Sequence, residues 1–264
     1  MHKLVRAVRF SVNPFLPVGT TGFNSYASKP CGEGLSFYLN LWVEVIGGVD
    51  PDTGFVVNVN RIDRSVRRFV VSIFDEHIKK SFDRGEHVSL LEICEILRRA
   101  WCVLSDRFGS AKLCELRLEL NPFRTVAIES GDSKVFYFGE KFEFAAMHTL
   151  WNDKFSDEKN FEVFGKCANP AGHGHNYVVE VTVKKPGGDG FRVADFEKIV
   201  NAEFMSLVDH KNLNADVAGF GEKNPTVENI AAFAWKRLVG KFSGGELSSV
   251  TVWETDMTYC TYQE

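Results

Sequence analysis

Apolar residues recur every second position in some stretches of this chain and every third or fourth in others. Residues 4–12 and 35–46 alternate, and so do 135–147 and 175–184, where Tyr177-Val178-Val179-Glu180-Val181-Thr182-Val183 gives the clearest run. Period two buries one face of a strand, so each stretch predicts a β-strand with a solvated back. Helical spacing covers 60–82, 89–108, 194–207 and 226–241. The last of these opens with Asn224-Pro225-Thr226-Val227-Glu228, which sets a proline and an acid at the positive end of the helix dipole. Alternation resumes at 113–120, 124–129, 247–254 and 257–262. The order β-β-α-α-β-β therefore occurs twice, with a long polar loop between the first two strands each time. Such an order predicts an α+β class, with helices on one face of an antiparallel sheet.

The two runs are in register with each other. An offset of 134 residues brings Phe10 onto Phe144, Asp75 onto Asp209, Trp101 onto Trp235, Leu104 onto Leu238, Phe108 onto Phe242 and Leu113 onto Leu247. An offset held from near the start to near the end points to tandem duplication. The register drifts around 31–55, as loop insertions would cause. The seam is expected at Ser130-Gly131-Asp132-Ser133, between units 1–130 and 135–264.

Composition narrows the classes of partner. A length of 264 residues suits two small domains. Hydrophobic residues make 44% and charged residues 25%, with a mean hydropathy of −0.13, as in ordinary globular chains. No apolar run approaches the ~18–20 residues that a membrane span needs, so no membrane partner is expected. The start of the chain, Met1-His2-Lys3-Leu4-Val5-Arg6, alternates like a strand and lacks the apolar core of a secretory signal. The 31 basic against 35 acidic side chains leave a net charge of −4, which disfavours nucleic acid as a partner. Six scattered cysteines read as reduced thiols, and the expected compartment is the cytoplasm.

Candidate chemistry concentrates in the second run. Gly172-His173-Gly174-His175 opens a strand, and side chains at i and i+2 share a face. His148 closes the preceding strand of the same unit, where it can bring a third imidazole to that face. Three neutral imidazoles at about 2.0–2.1 Å with an open fourth position make the layout of a catalytic zinc site. An isolated His-X-His pair is more often incidental; the third histidine and the flanking glycines change that balance. Cys167, in Gly165-Lys166-Cys167-Ala168-Asn169-Pro170, sits in a polar turn where a thiol is accessible and can ionise. Asp209-His210 sets an acid beside a histidine, a pair able to move protons, and Glu254 ends a strand where a carboxylate can bind a guanidine-like edge.

These residues carry a resemblance. Phe144-Ala145-Ala146-Met147-His148, Phe164-Gly165-Lys166-Cys167-Ala168-Asn169-Pro170-Ala171-Gly172-His173-Gly174-His175-Asn176-Tyr177, Asp209-His210-Lys211-Asn212-Leu213-Asn214, Pro225-Thr226-Val227-Glu228-Asn229 and Glu254-Thr255 occur in that order. Over about 141–264 the chain strongly resembles the 6-pyruvoyl-tetrahydropterin synthase family. The resemblance implies the tunnelling fold (T-fold), here as two tandem units. It implies zinc on His148, His173 and His175, Cys167 as general base, and Asp209 and His210 as a relay often supplied by a neighbouring subunit. It also implies Glu254 as the anchor of the pterin ring, with Thr226 and Glu228 lining the same pocket. The reaction implied is loss of inorganic triphosphate from 7,8-dihydroneopterin triphosphate to give 6-pyruvoyl-tetrahydropterin, a lyase reaction on a small-molecule pterin substrate.

Two positions depart from the family pattern. Thr149 stands where Arg is common, which bears on phosphate binding, and Val227 stands where animal relatives commonly have Thr. The sister 6-carboxy-tetrahydropterin synthase of deazapurine synthesis shares the ligands but typically has a shorter Cys-X3-His-Gly-His spacing; here five residues intervene. A non-catalytic pterin-binding protein is a third reading, opposed by the completeness of the residue set.

The first run lacks that set. Through the repeat, His148 falls on Pro14, His173 and His175 near Glu33 and Leu35, His210 on Glu76, Glu228 on Cys94 and Glu254 on Leu120; only Asp75 keeps its type. Proline and leucine offer no ligand atom. Residues 1–130 thus read as a degenerate unit with an assembly role, and about one zinc per chain is expected. Cys31, near the lost site, reads as structural. Relatives with one unit per chain form stacked rings of three. Because the second unit keeps its own Asp209-His210, second units are expected to neighbour one another, giving a homotrimer of two stacked rings. The weighed alternative is an alternating barrel from two chains, as urate oxidase suggests.

Overall fold

A computed structural model describes residues 1–15, 35–131, 135–186 and 190–264. Cys31 and Glu33, and Asp132 and Ser133 of the expected seam, lie outside the described residues. The chain divides into two compact units, one built on Met1–Phe138 and the other on Gly139–Lys185 with Gly190–Glu264.

In the first unit the strands are β1 (His2–Val12), β2 (Phe37–Gly47), β3 (Lys112–Asn121) and β4 (Arg124–Glu129), antiparallel in that order. Alternation sends Leu41, Val43, Val45, Leu116 and Leu118 to one face, all buried. Against that face lie α1 (Val59–Ser65), α2 (Val71–Asp83) and α3 (Leu90–Leu104), which contribute Ile62, Phe74, Leu97, Ala100 and Leu104. Ser89 and Glu92 start α3 with a reciprocal capping box that satisfies the free N–H groups of its first turn.

The second unit repeats that element order with additions. Its strands are β5 (Val135–His148), β6 (His173–Pro186), the two-residue β7 (Lys211–Asn212), β8 (Glu246–Thr255) and β9 (Thr258–Tyr262). The sheet runs β5-β6-β8-β9, and β7 adds a short parallel pairing to the end of β5. Its helices are α4 (Asp157–Phe164), α5 (Val193–Val200), α6 (Ser206–Val208), α7 (Leu213–Asp216) and α8 (Val227–Leu238). Tyr177, Val179, Val181 and Val183 face Phe196, Val200, Phe204, Ile230 and Leu238 in the core. The result is an α+β protein in which antiparallel sheet and helices are segregated.

Three local features differ from the sequence reading. The helices expected over 60–82 and 194–207 are each interrupted by a π-helical turn, Val66–Val70 and Asn201–Met205. One extra residue in such a turn shifts the apolar stripe without ending the helix, so periodicity alone does not reveal it. The polar loop before β6 contains α4, whose N-cap Ser156 accepts from the Lys159 N–H at 3.2 Å. Finally β6 spans His173–Pro186, two residues longer at each end than the alternating stretch 175–184, with both histidines on the strand as their spacing implies.

Candidate functional site

The end of β5 and the start of β6 meet at the histidines. His148, His173 and His175 each offer a ring nitrogen within 4.8 Å of the others. Alternation along β6 puts His173, His175 and Tyr177 on one face, with ring centroids 4.8 and 5.5 Å apart in sequence. Gly172, just before them, has φ +71, and a Cβ there would meet the Met147 methyl at 2.8 Å and the His148 carbonyl at 3.2 Å. Only glycine both adopts that backbone and admits that approach.

The hydrogen bonds fix the ring states. His148 Nδ1 lies 2.7 Å from the Pro225 carbonyl, which can only accept, so Nδ1 carries the proton and Nε2 keeps its lone pair. That Nε2 faces His173 Nε2 at 3.0 Å. His175 Nε2 and His173 Nδ1 are buried without a hydrogen-bond partner. Burial, the largest cause, pushes His148 and His173 below the ordinary imidazole range; proximity to His173 and His175 adds to it at His148, and proximity to His175 at His173. Neutral imidazoles converging with an orphaned nitrogen are a donor set suited to a divalent cation, and zinc fits their number and type.

Glu254 joins the cluster, its Oε1 at 3.7 Å from His148 Nε2 and 3.6 Å from His175 Nε2. It is the residue skipped where the β8–β9 pairing shifts register between Trp253 and Thr255. Tyr177, fully buried, sets its hydroxyl 3.5 Å from His148 Nδ1; burial first, then the Glu254 carboxylate, push its phenol upward. Cys167 sits in the 3-10 turn Gly165–Ala168, half-buried and close enough to Tyr177 to raise its phenol further. The Cys167 carbonyl accepts from the Leu150 N–H at 2.9 Å, tying that turn to the segment after His148.

Neighbouring loops brace the same segment. Asn214 exchanges two hydrogen bonds with the Thr149 backbone, at 2.8 and 2.9 Å. Asn224 accepts from the Trp151 N–H at 2.8 Å through its side chain and from Asn229 Nδ2 at 2.8 Å through its carbonyl. Thr149, the departure from the family pattern, bonds through its hydroxyl to the Asn169 carbonyl at 3.4 Å.

Other expected site residues lie differently. Asp209 and His210 pair at 2.9 Å, and His210 is 81% exposed. The pair is held on β5, where the Ala145 N–H donates to Asp209 Oδ1 at 3.0 Å and the Ala145 carbonyl accepts from the His210 N–H at 2.6 Å. The Ala145 N–H is the main cause that lowers the Asp209 carboxyl below its usual range. His210 has φ +56, the one positive φ of a non-glycine among the described residues. His210 borders an open cavity of about 550 Å³ with Met147, His175 and Asn176. Thr226 is the N-cap of α8, its hydroxyl accepting from the Asn229 N–H at 3.4 Å, and Glu228 is exposed in the first turn.

Sequence reasoning gave no role to Tyr177 or to the Pro225 carbonyl. The signal for Tyr177 was present, since it continues the i, i+2 series of the two histidines. The Pro225 contact joins residues 77 apart, and no local pattern announces it.

The family model described as 6-pyruvoyl tetrahydropterin synthase matches residues 138–264. The 6-pyruvoyl tetrahydrobiopterin synthase of Homo sapiens is 40% identical over 127 residues, 47% of this chain and 88% of that protein. The 6-carboxy-5,6,7,8-tetrahydropterin synthase of Haemophilus influenzae is 30% identical over 125 residues, 38% of this chain and 86% of that protein. Among solved structures, Caenorhabditis elegans 6-pyruvoyl tetrahydropterin synthase is 33% identical, covering 49% of this chain and 96% of that chain, with a TM-score of 0.45. With the histidine cluster, Glu254 and Cys167 all inside the matched segment, the chain belongs to the 6-pyruvoyl tetrahydropterin synthase family of lyase-type enzymes.

Proposed function

We propose that residues 135–264 catalyse loss of inorganic triphosphate from 7,8-dihydroneopterin triphosphate to give 6-pyruvoyl-tetrahydropterin. One observation carries the reading: three converging imidazoles, a carboxylate and a half-buried thiol gather on the segment that matches the family. Greater identity to the pyruvoyl enzyme than to the carboxy enzyme, 40% against 30%, favours the pyruvoyl product.

His148, His173 and His175 would hold a zinc ion, about one per chain, which when bound supplies Lewis-acid polarisation of the substrate's side-chain oxygens. Cys167, as thiolate, would remove the proton from the adjacent carbon. Glu254 would accept the guanidine-like edge of the pterin and fix its orientation, with Thr226 and Glu228 bordering the pocket. Asp209 and His210 would pass protons onward. Their exposure supports a homo-oligomer in which a neighbouring copy supplies the dyad. On this reading the partners are a soluble pterin triphosphate and further copies of the chain, in the cytoplasm, with residues 1–130 serving assembly. Three chains in two stacked rings are expected; a scattering mass near three times 29.7 kDa supports them, and a mass of two chains overturns them.

Purified protein incubated with dihydroneopterin triphosphate is expected to release triphosphate and a product with the mass of 6-pyruvoyl-tetrahydropterin. The mass of the carboxy product would assign the sister reaction, and absence of turnover in zinc-loaded protein would leave only binding.

A further inference from the structure

We propose that Asn229 is a positioning residue for the metal centre, holding the Asn224-Pro225 turn so that the Pro225 carbonyl aims His148 at its fellow ligands. The proposal rests on the reading of His148, His173 and His175 as zinc ligands and asks what orients the first of them. His148 closes β5, and its ring is buried with Nδ1 2.7 Å from the Pro225 carbonyl. The Tyr177 hydroxyl, at 3.5 Å, is too distant to hold that nitrogen. The direction of Nε2, toward His173 Nε2 at 3.0 Å, therefore follows from where one backbone carbonyl stands.

That carbonyl lies just ahead of Thr226, the N-cap of α8, where no strand or helix ladder fixes it. Proline leaves only ψ free at residue 225, so the carbonyl direction follows from the plane of the Asn224-Pro225 peptide and from the start of α8. Asn229 ties these two together. Its Nδ2 donates to the Asn224 carbonyl at 2.8 Å, and its backbone N–H donates to Thr226 Oγ1 at 3.4 Å. The Asn224 carbonyl also accepts from the Thr226 N–H at 2.8 Å. The Asn224 side chain in turn accepts from the Trp151 N–H at 2.8 Å, three residues past His148. The segment after β5 and the turn before α8 are thus joined at two points, one of them the His148 ring. Removing the Asn229 amide frees the peptide plane between those points.

The test uses Asn229→Asp and Asn229→Ala in the full chain. Zinc affinity is read by competition with a chromophoric chelator, and the histidine ring forms by nitrogen NMR of zinc-free protein in mildly alkaline buffer. Aspartate keeps the shape and suits the first turn of a helix, but it cannot donate to the Asn224 carbonyl. Its added negative charge by itself favours a nearby cation, so a loss of affinity reports geometry. Both variants are expected to raise the zinc Kd by about tenfold, the low end for losing a partner behind a liganding imidazole, because Asn229 acts one link further out. His148 is expected to hold a single Nδ1–H form in the unaltered chain and a mixture of ring forms in both variants. The thermal midpoint of zinc-free Asn229→Asp is expected to stay near that of the unaltered chain. If Asn229→Asp keeps the zinc Kd while His173→Ala loses zinc, the positioning role is overturned and the metal site stands. If His173→Ala binds zinc as the unaltered chain does, the metal-site reading falls and the positioning role with it. A raised Kd with His148 still in its single Nδ1–H form would also overturn the role, by separating Asn229 from the ring.

Discussion

The unit on Met1–Phe138 and the unit on Gly139–Lys185 with Gly190–Glu264 build nearly the same elements around different linings. Each has a π-helical turn inside its first long helix, and each skips one residue in pairing its third strand with its fourth. The skipped residue is Leu120 in one and Glu254 in the other, 134 positions apart. Strand pairing sets Leu41 opposite Leu118 and Val179 opposite Val252, so Phe37 and Leu39 occupy the places of His175 and Tyr177. That register is two residues beyond the sequence alignment, which set His175 against Leu35. In the first unit Phe37, Leu39, Leu118 and Leu120 line an apolar cavity of about 360 Å³; in the second the corresponding face carries imidazoles, phenol and carboxylate. The scaffold is alike and the lining differs. A strand fixes where side chains point, and their chemistry decides what the place can hold.

Metal content tests that contrast most severely. His173→Ala is expected to take bound zinc from about one per chain to near none and to abolish turnover, since two imidazoles leave the site incomplete. Two equivalents of zinc in the unaltered chain would break the contrast by giving the first unit a site of its own. Cys167→Ala should keep its zinc and lose ~10²–10⁴-fold in turnover, the range for removal of a general base. A nearly unchanged rate would assign the proton to another group.

The bulge positions allow a matched pair. Glu254→Gln is expected to weaken pterin binding by about tenfold, whereas Leu120→Gln should leave it unchanged. Sensitivity at Leu120 would mean that both linings contribute. The smallest effect concerns acid. Burial holds His148 and His173 below their ordinary value of 6.5 in the folded chain. The unfolded chain then binds more protons, so their contribution to stability is complete above about pH 6.5 and falls as the pH drops through the folded values. Denaturant titration of metal-free protein should show a lower midpoint in mild acid, and His148→Gln should reduce that dependence.

Much of this was legible from residue order. The alternation at 175–184 and the spacing at 226–241 mark β6 and α8 because burial of one face leaves a periodic trace. His-Gly-His could be assigned to one face because a strand has period two. Local pattern failed where the backbone departs from regularity without changing composition, as in the π-helical turns and in α4, whose residues read as a polar loop.

The sequence by itself determined which residues could do chemistry, because ligand atoms, thiols and carboxylates are properties of residue type. It also carried the absence of ligand atoms at Pro14, Leu35 and Leu120. Only the tertiary structure decided which candidates meet. It brought His148 to the Pro225 carbonyl, 77 residues away, fixing which ring nitrogen keeps its lone pair. It set Glu254 beside His148 and His175, and it left His210 exposed and Asp209 half-buried on the edge of β5. Such contacts join residues distant in sequence, and their geometry comes from strand pairing and loop bracing that no local period encodes.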